Sequence, residues 1–147
     1  MWAVVLPITS FAASRPARLW HSLAFVVYGV GSVVCHQLPA RSFQLWAAQM
    51  PVCARCTGIY VGAAIVAVID MVRPERTVRL KPDATYAPDA TRMLLAIASL
   101  PTALTLVYEW TMGDVPSNVI RALAGVPLGA AVALVIAGSL TGARKVN

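Results

Sequence analysis

The chain has 147 residues, of which 59% are hydrophobic and 12% charged, and its mean hydropathy is +0.71. A soluble domain carries about 25% charged residues, so this composition excludes an ordinary soluble protein and predicts an integral membrane protein. The formal charge of +6 does not predict nucleic-acid binding, because the basic residues bracket apolar runs instead of forming one stripe.

Residues 1–13 are apolar, short and interrupted by Pro7. No basic stretch precedes them, which disfavours a secretory signal and predicts a frayed or interfacial leader. Arg15 and Arg18 follow. A first membrane span is expected over 19–34, reaching 36 at its limit. His21, near its start, reads as an interfacial residue, and Gly29 and Gly31 permit close helix approach. Pro39 argues against a longer helix. Ser42 is a candidate cap for a short helix in which Phe43, Trp46, Ala47 and Met50 fall at i, i+3, i+4 and i+7. That stripe predicts a helix lying on the extracytoplasmic membrane surface, with Trp46 in the aromatic belt. A plain loop fits so short a piece equally.

Pro51 suits the first turn of a second span, expected over 52–72. Gly58 and Gly62 form a G-x-x-x-G within it, and Asp70 lies near its far end. Residues 73–92 are polar and hold Arg73, Arg76, Arg79, Lys81 and Arg92. Here Pro-Asp-Ala-Thr-Tyr (82–86) is followed by Pro-Asp-Ala-Thr-Arg (88–92). This tandem repeat reads as a low-complexity loop without chemistry. A third span is expected over 93–110, kinked by Pro101 and closed by Glu109. A short connection holding Asp114 leads to Ser117 and Asn118, either of which can cap a fourth span over 119–140. That span carries a second G-x-x-x-G at Gly125 and Gly129. The expected fold is all-α: one domain, a four-helix transmembrane bundle with a short extracytoplasmic interfacial helix.

With four spans both termini lie on one side. The N-terminal segment, the 73–92 loop and the tail then place nine of the twelve Lys and Arg together. The positive-inside rule makes that side the cytoplasm. A prokaryotic cytoplasmic membrane is the expected location, with the bilayer as the one partner the sequence implies. The opposite face receives residues 35–60, which contain all three cysteines, Cys35, Cys53 and Cys56, together with His36, Arg41 and Arg55. It also receives Glu109, Asp114, Asn118 and Arg121. Polar residues of this kind are costly near a bilayer and mark a candidate functional site. Arg121 in a first helical turn opposes the helix dipole and needs a carboxylate, for which Glu109 is the candidate.

Three chemistries fit the segment. Cys53 and Cys56 have the C-x-x-C spacing that lets two thiolates share an ion, and Cys35 with His36 would complete a three-sulfur, one-nitrogen shell. Zinc is the first expectation, with copper or iron also suited to such ligands. Adjacent ligands require the helix to unwind at Cys35. Arg41, Arg55, Tyr60, Glu109, Asn118 and Arg121 would then surround the metal or hold an anion. Alternatively, Cys53 and Cys56 in a first helical turn beside Arg55 favour thiolate and thiol–disulfide exchange. The third reading is structural, with a Cys53–Cys56 disulfide or buried thiols tying the short outer helix to the bundle and Arg41, Arg55, Glu109 and Arg121 forming a polar clamp. Thr57 after the C-x-x-C disfavours covalent haem attachment. The sequence assigns no reaction.

The blocks Cys35-His36-Gln37, Arg41-Ser42-Phe43 and Pro51-Val52-Cys53-Ala54-Arg55-Cys56-Thr57-Gly58-Ile59-Tyr60, followed by Glu109, Pro116-Ser117-Asn118 and Arg121, resemble a family of small prokaryotic predicted membrane proteins of unknown function. The resemblance covers roughly residues 20–140 and excludes the tandem repeat. It implies a multi-span membrane protein with these residues as its signature, and implies no activity.

Overall fold

The computed structural model of the chain describes residues 2–15, 18–72 and 88–143. Their regular structure is helical apart from one small hairpin. Helix α1 spans Trp2–Ala13 and α2 spans Arg18–Val34. A 3-10 turn, Pro39–Arg41, leads into the antiparallel strands β1 (Gln44–Leu45) and β2 (Ala48–Gln49). Helices α3 (Ala54–Val72), α4 (Pro88–Met112) and α5 (Asn118–Ala143) complete the fold.

Close packing of α3 along α5 is the main helix contact, and α4 packs on α5. Small residues make this approach possible. A Cβ on Gly58 would collide with the carbonyl of Ala122, and one on Gly62 with that of Val126. In return, Gly125 lies against the carbonyl of Arg55 and Gly129 against that of Ile59. The two G-x-x-x-G motifs therefore face each other. Lipid is as apolar as a leucine side chain, so such helices associate through tight packing and hydrogen bonds. Thr102 adds one, donating to the carbonyl of Ala124 at 2.8 Å and tying α4 to α5.

Helices α3, α4 and α5 are each long and apolar enough to cross a bilayer. Their outward faces are apolar: Ile97, Leu100, Leu104 and Val107 form an exposed row on α4. Such a row is unstable against water and suited to lipid. Helix α2, with 17 residues, is shorter than the roughly 20 that a full crossing needs.

Two expectations are corrected. Of the frayed or interfacial leader expected over 1–13, the frayed form is corrected for the described residues Trp2–Ala13, which are helical. Their helix packs on α2, and Leu6, Thr9, Ser10 and Ala12 are buried. Thr9 and Ser10 return their hydroxyls to the carbonyls of Val5 and Leu6, so neither buried hydroxyl is stranded.

The predicted interfacial helix over 42–50 is instead the β1–β2 hairpin, with Gln44 paired to Gln49 and Leu45 to Ala48. Trp46 and Ala47 form its two-residue loop at φ 51° and 60°, the left-handed pair that a tight hairpin turn requires. Tertiary contacts offset that strain. Trp46 packs edge-on to Phe11 of α1, with ring centroids 5.6 Å apart. Met50 is buried and donates its N–H to the carbonyl of Phe43 at 2.8 Å.

The predicted loop over 73–92 lies outside the described residues as far as 87, while 88–92 form the first turn of α4. The tail after 143 also lies outside them.

Candidate functional site

The end of α2, the hairpin and the start of α3 meet around a buried cluster of Leu6, Cys35, Met50 and Val52. Cys53, Cys56 and Tyr60 pack against it. The sulfur atoms of Cys35, Cys53 and Cys56 all lie within 4.8 Å of one another, and all three cysteines are free thiols.

Each sulfur is placed by local backbone geometry. The N–H of Cys35 still bonds the carbonyl of Gly31 at 2.9 Å, so α2 continues through it and its side chain turns inward. Helix α3 begins after Pro51 and Val52. The carbonyl of Cys53 accepts the N–H of Thr57 at 3.0 Å, which makes Cys53 the residue that caps α3. Its own N–H donates to the Cys35 sulfur at 3.1 Å. Cys56 lies one turn into the helix on the same side.

The Cys53 thiol is held well below the ordinary thiol range. The Cys56 thiol contributes most by hydrogen-bonding to it; burial opposes, and the backbone N–H groups of Cys56 and Arg55 and the Cys35 thiol add to the lowering. These are donors to the charged form, the arrangement that stabilises a thiolate at a helix start.

His36 does not join the sulfurs. It is exposed and lies outside the group of ligand atoms that come together. The expected unwinding does occur, but after Cys35 instead of at it. Gln37 takes the left-handed conformation at φ 48°, and the imidazole is left on the outside.

Gln37 is a bracing residue that the sequence reading passed over. Its side-chain amide donates to the carbonyls of Tyr28, at 2.8 Å, and Pro51, at 2.7 Å. It thereby joins α2 to the segment that delivers Cys53. Gln49 donates to the carbonyl of Gln37, and the Tyr28 hydroxyl donates to the carbonyl of Gln49. The signal lay in the third residue of Cys-His-Gln, a polar side chain at the end of an apolar span. Gln37→Asn tolerates the left-handed backbone but is too short to reach both carbonyls. It is expected to weaken metal binding at the three sulfurs about 10- to 100-fold while leaving helix content intact, as read by competition with a chromogenic chelator. Unchanged affinity would remove Gln37 from the site.

A second cluster lies on the other side of the α3 start. Arg55 points away from the sulfurs, and only its backbone N–H acts on Cys53. Its guanidinium reaches α4, with Nη2 3.2 Å from Glu109 Oε1 and 3.1 Å from Thr105 Oγ1. Arg121 Nε lies 2.8 Å from the same Glu109 oxygen, and Arg41 Nη1 lies 3.6 Å from the other. The Glu109 and Arg121 side chains are 2% and 1% exposed. Three arginines thus share one buried carboxylate: the expected Glu109–Arg121 pair is present, and Arg41 and Arg55 join it as the polar clamp that the sequence also offered.

Ser117 caps α5, its hydroxyl accepting the N–H of Ile120 at 3.4 Å. Asn118 donates to the carbonyl of Ser42 at 3.0 Å, which fastens the loop after the 3-10 turn to α5. Asp114 is exposed and stands apart from the cluster.

Apolar helices joined by glycine stripes, with thiols and buried arginines gathered at one end, define an integral membrane protein with a built polar site. The chain belongs to the family described as "Predicted membrane protein (DUF2085)", whose profile matches residues 35–135. It is similar to an uncharacterized protein of Methanothermobacter thermautotrophicus, 30% identical over 69% of this chain and 82% of that one. It is also similar to the uncharacterized protein MJ1492 of Methanocaldococcus jannaschii, 42% identical over 53 residues, or 36% of this chain. That stretch spans only 34% of the Methanocaldococcus protein. No solved structure matches.

Proposed function

We propose that this membrane protein binds one soft metal ion, zinc first, through Cys35, Cys53 and Cys56. The observation that carries this reading is the mutual approach of three sulfurs within 4.8 Å. Zinc–thiolate bonds of about 2.3 Å in a tetrahedral shell set sulfur atoms roughly 3.8 Å apart. The three thiols are therefore within about an ångström of ligating distance, a gap that small side-chain rotations close. The N–H of Cys53 on the Cys35 sulfur supports a thiolate there. Copper(I) also accepts three thiolates. A small external ligand would complete the shell, or His36 would do so if the chain beyond Cys35 turned it inward.

Thiol–disulfide exchange is the second reading, favoured by the acidic Cys53 thiol. In that chemistry the Cys53 thiolate attacks a disulfide substrate and releases one thiolate. Cys56, losing its proton, then displaces the second and closes a Cys53–Cys56 disulfide. The substrate gains the two electrons that the cysteine pair loses.

Elemental analysis of the detergent-purified protein, with thiols counted before and after denaturation, separates the two. The metal reading expects about one ion per chain and thiols hidden until denaturation. Absence of metal, with two thiols recovered only after reduction, would transfer the function to exchange.

The location proposed for the site is the outer face of a prokaryotic cytoplasmic membrane, with α2 as a fourth crossing and both termini in the cytoplasm. The distribution of Lys and Arg supports it. A reporter active only in the cytoplasm, fused after Asn147, is expected to be active; a silent fusion would reverse the orientation.

A further inference from the structure

The arginine cluster holds more positive charge than the protein balances. Arg41, Arg55 and Arg121 converge on Glu109, and three guanidiniums against one carboxylate leave a formal excess of +2. Arginine does not deprotonate in proteins, so this excess is permanent. The start of α5 adds positive partial charge to it. Asp114 makes no ion pair with these arginines among the described residues.

The hydrogen bonds are incomplete as well. Arg121 is 1% exposed, yet its Nη1 has no partner, and neither does Nε of the half-buried Arg55. Two acceptors in the same cluster, Glu109 Oε2 and Asn118 Oδ1, also lack hydrogen-bond donors. A buried guanidinium N–H without an acceptor is costly, and so is a buried carboxylate oxygen without a donor. Both needs are met by one kind of ligand. A hydrogen phosphate offers P–O⁻ acceptors to the arginines and a P–O–H donor to the carboxylate or the amide. Sulfate offers only acceptors and would face Glu109 Oε2 and Asn118 Oδ1 unfavourably. The Arg41 side chain is 37% exposed, so the cluster reaches the surface through it.

We propose that Arg41, Arg55 and Arg121, with Glu109 and Asn118, form a binding site for a protonated phosphate group, supplied as inorganic phosphate or as a phosphomonoester. Planar guanidiniums hold such a group through paired, charge-assisted bonds. The site is separate from the three sulfurs, because Arg55 directs its side chain to α4. Its occupancy does not depend on a metal.

The test is calorimetric titration of the detergent-purified full chain, in a phosphate-free buffer near neutral pH, with inorganic phosphate and in parallel with sulfate. Native mass spectrometry then compares retention of phosphatidic acid with that of phosphatidylglycerol, whose phosphodiester cannot donate. Saturable phosphate binding with weaker sulfate binding supports a soluble source. Selective retention of phosphatidic acid without a response to phosphate supports a lipid source. Arg41→Gln leaves Glu109 paired with Arg55 and Arg121, and is expected to lower the affinity about tenfold or more with metal content unchanged. Binding of none of these ligands overturns the proposal. So does equal binding of phosphate and sulfate, or an Arg41→Gln protein that binds as the wild type does.

Discussion

Gly58→Leu is expected to separate α3 from α5, whereas Gly29→Leu leaves the protein at least as stable as before. A Cβ at Gly58 runs into the backbone of Ala122. Backbone cannot swing aside as a flexible side chain can, so the whole helix must shift. Overpacking in a fitted interface costs about 1–3 kcal/mol, and a leucine here belongs at or above the upper end. The shift also moves Arg55, whose carbonyl packs against Gly125, so the Glu109 ion pairs loosen with it. At Gly29 a Cβ meets nothing within 4 Å, and leucine is a better helix former than glycine by roughly 0.5–1 kcal/mol. Thermal unfolding in detergent, followed by circular dichroism, checks the pair. Equal midpoints for the two variants would show that the facing glycines do not hold the bundle together.

Cys56→Ser is expected to abolish metal retention while the helices still form. Serine keeps the shape of the side chain but replaces a thiolate with a neutral hydroxyl, a poor ligand at neutral pH. Structural zinc sites with four ligands bind with about 10–16 kcal/mol, so one ligand is worth roughly 3 kcal/mol or a hundredfold in affinity. Cys56 is half-buried at the edge of its cluster, and the α3–α5 contact runs through Gly58, Gly62, Gly125 and Gly129. The bundle is therefore expected to insert normally. Dialysis against a mild chelator, followed by elemental analysis, gives the answer. Full metal content in the variant would sink the three-sulfur site, and unfolded protein would show that Cys56 serves packing first.

The two variants probe different layers of the same end of the molecule. The glycine stripes fix how α3 and α5 cross. That crossing determines that Arg55 and Arg121 meet Glu109 from adjacent helices. The bond from Asn118 to the carbonyl of Ser42 then holds the loop, and the loop delivers Cys53 to Cys35. The metal reading and the phosphate reading thus share a scaffold without sharing ligands.

Sequence by itself determined the membrane class, the all-α fold and the end of the bundle where the cysteines and the Glu109 ion pairs gather. The physical reason is that hydropathy and charge act over whole segments: a run of apolar residues must avoid water wherever it packs, and polar residues must collect where water or one another can be reached. Glu109 and Arg121 were legible as partners for the same reason, since each is costly alone. Tertiary structure decided the rest. The stripe Phe43, Trp46, Ala47, Met50 suits a helix by spacing, but eight residues gain too little from helical bonds to resist a hairpin held by Phe11, Tyr28 and buried Met50. Residues 1–13 look like a leader until α2 and the hairpin cover Leu6 and Ser10. His36 neighbours Cys35 in the chain yet points outward, because the left-handed step falls at Gln37, one residue too late to bring both inward. Spacing showed that Arg55 lies between two cysteines, but only helix rotation shows which way its side chain turns, and the packing of α3 on α5 sets that rotation.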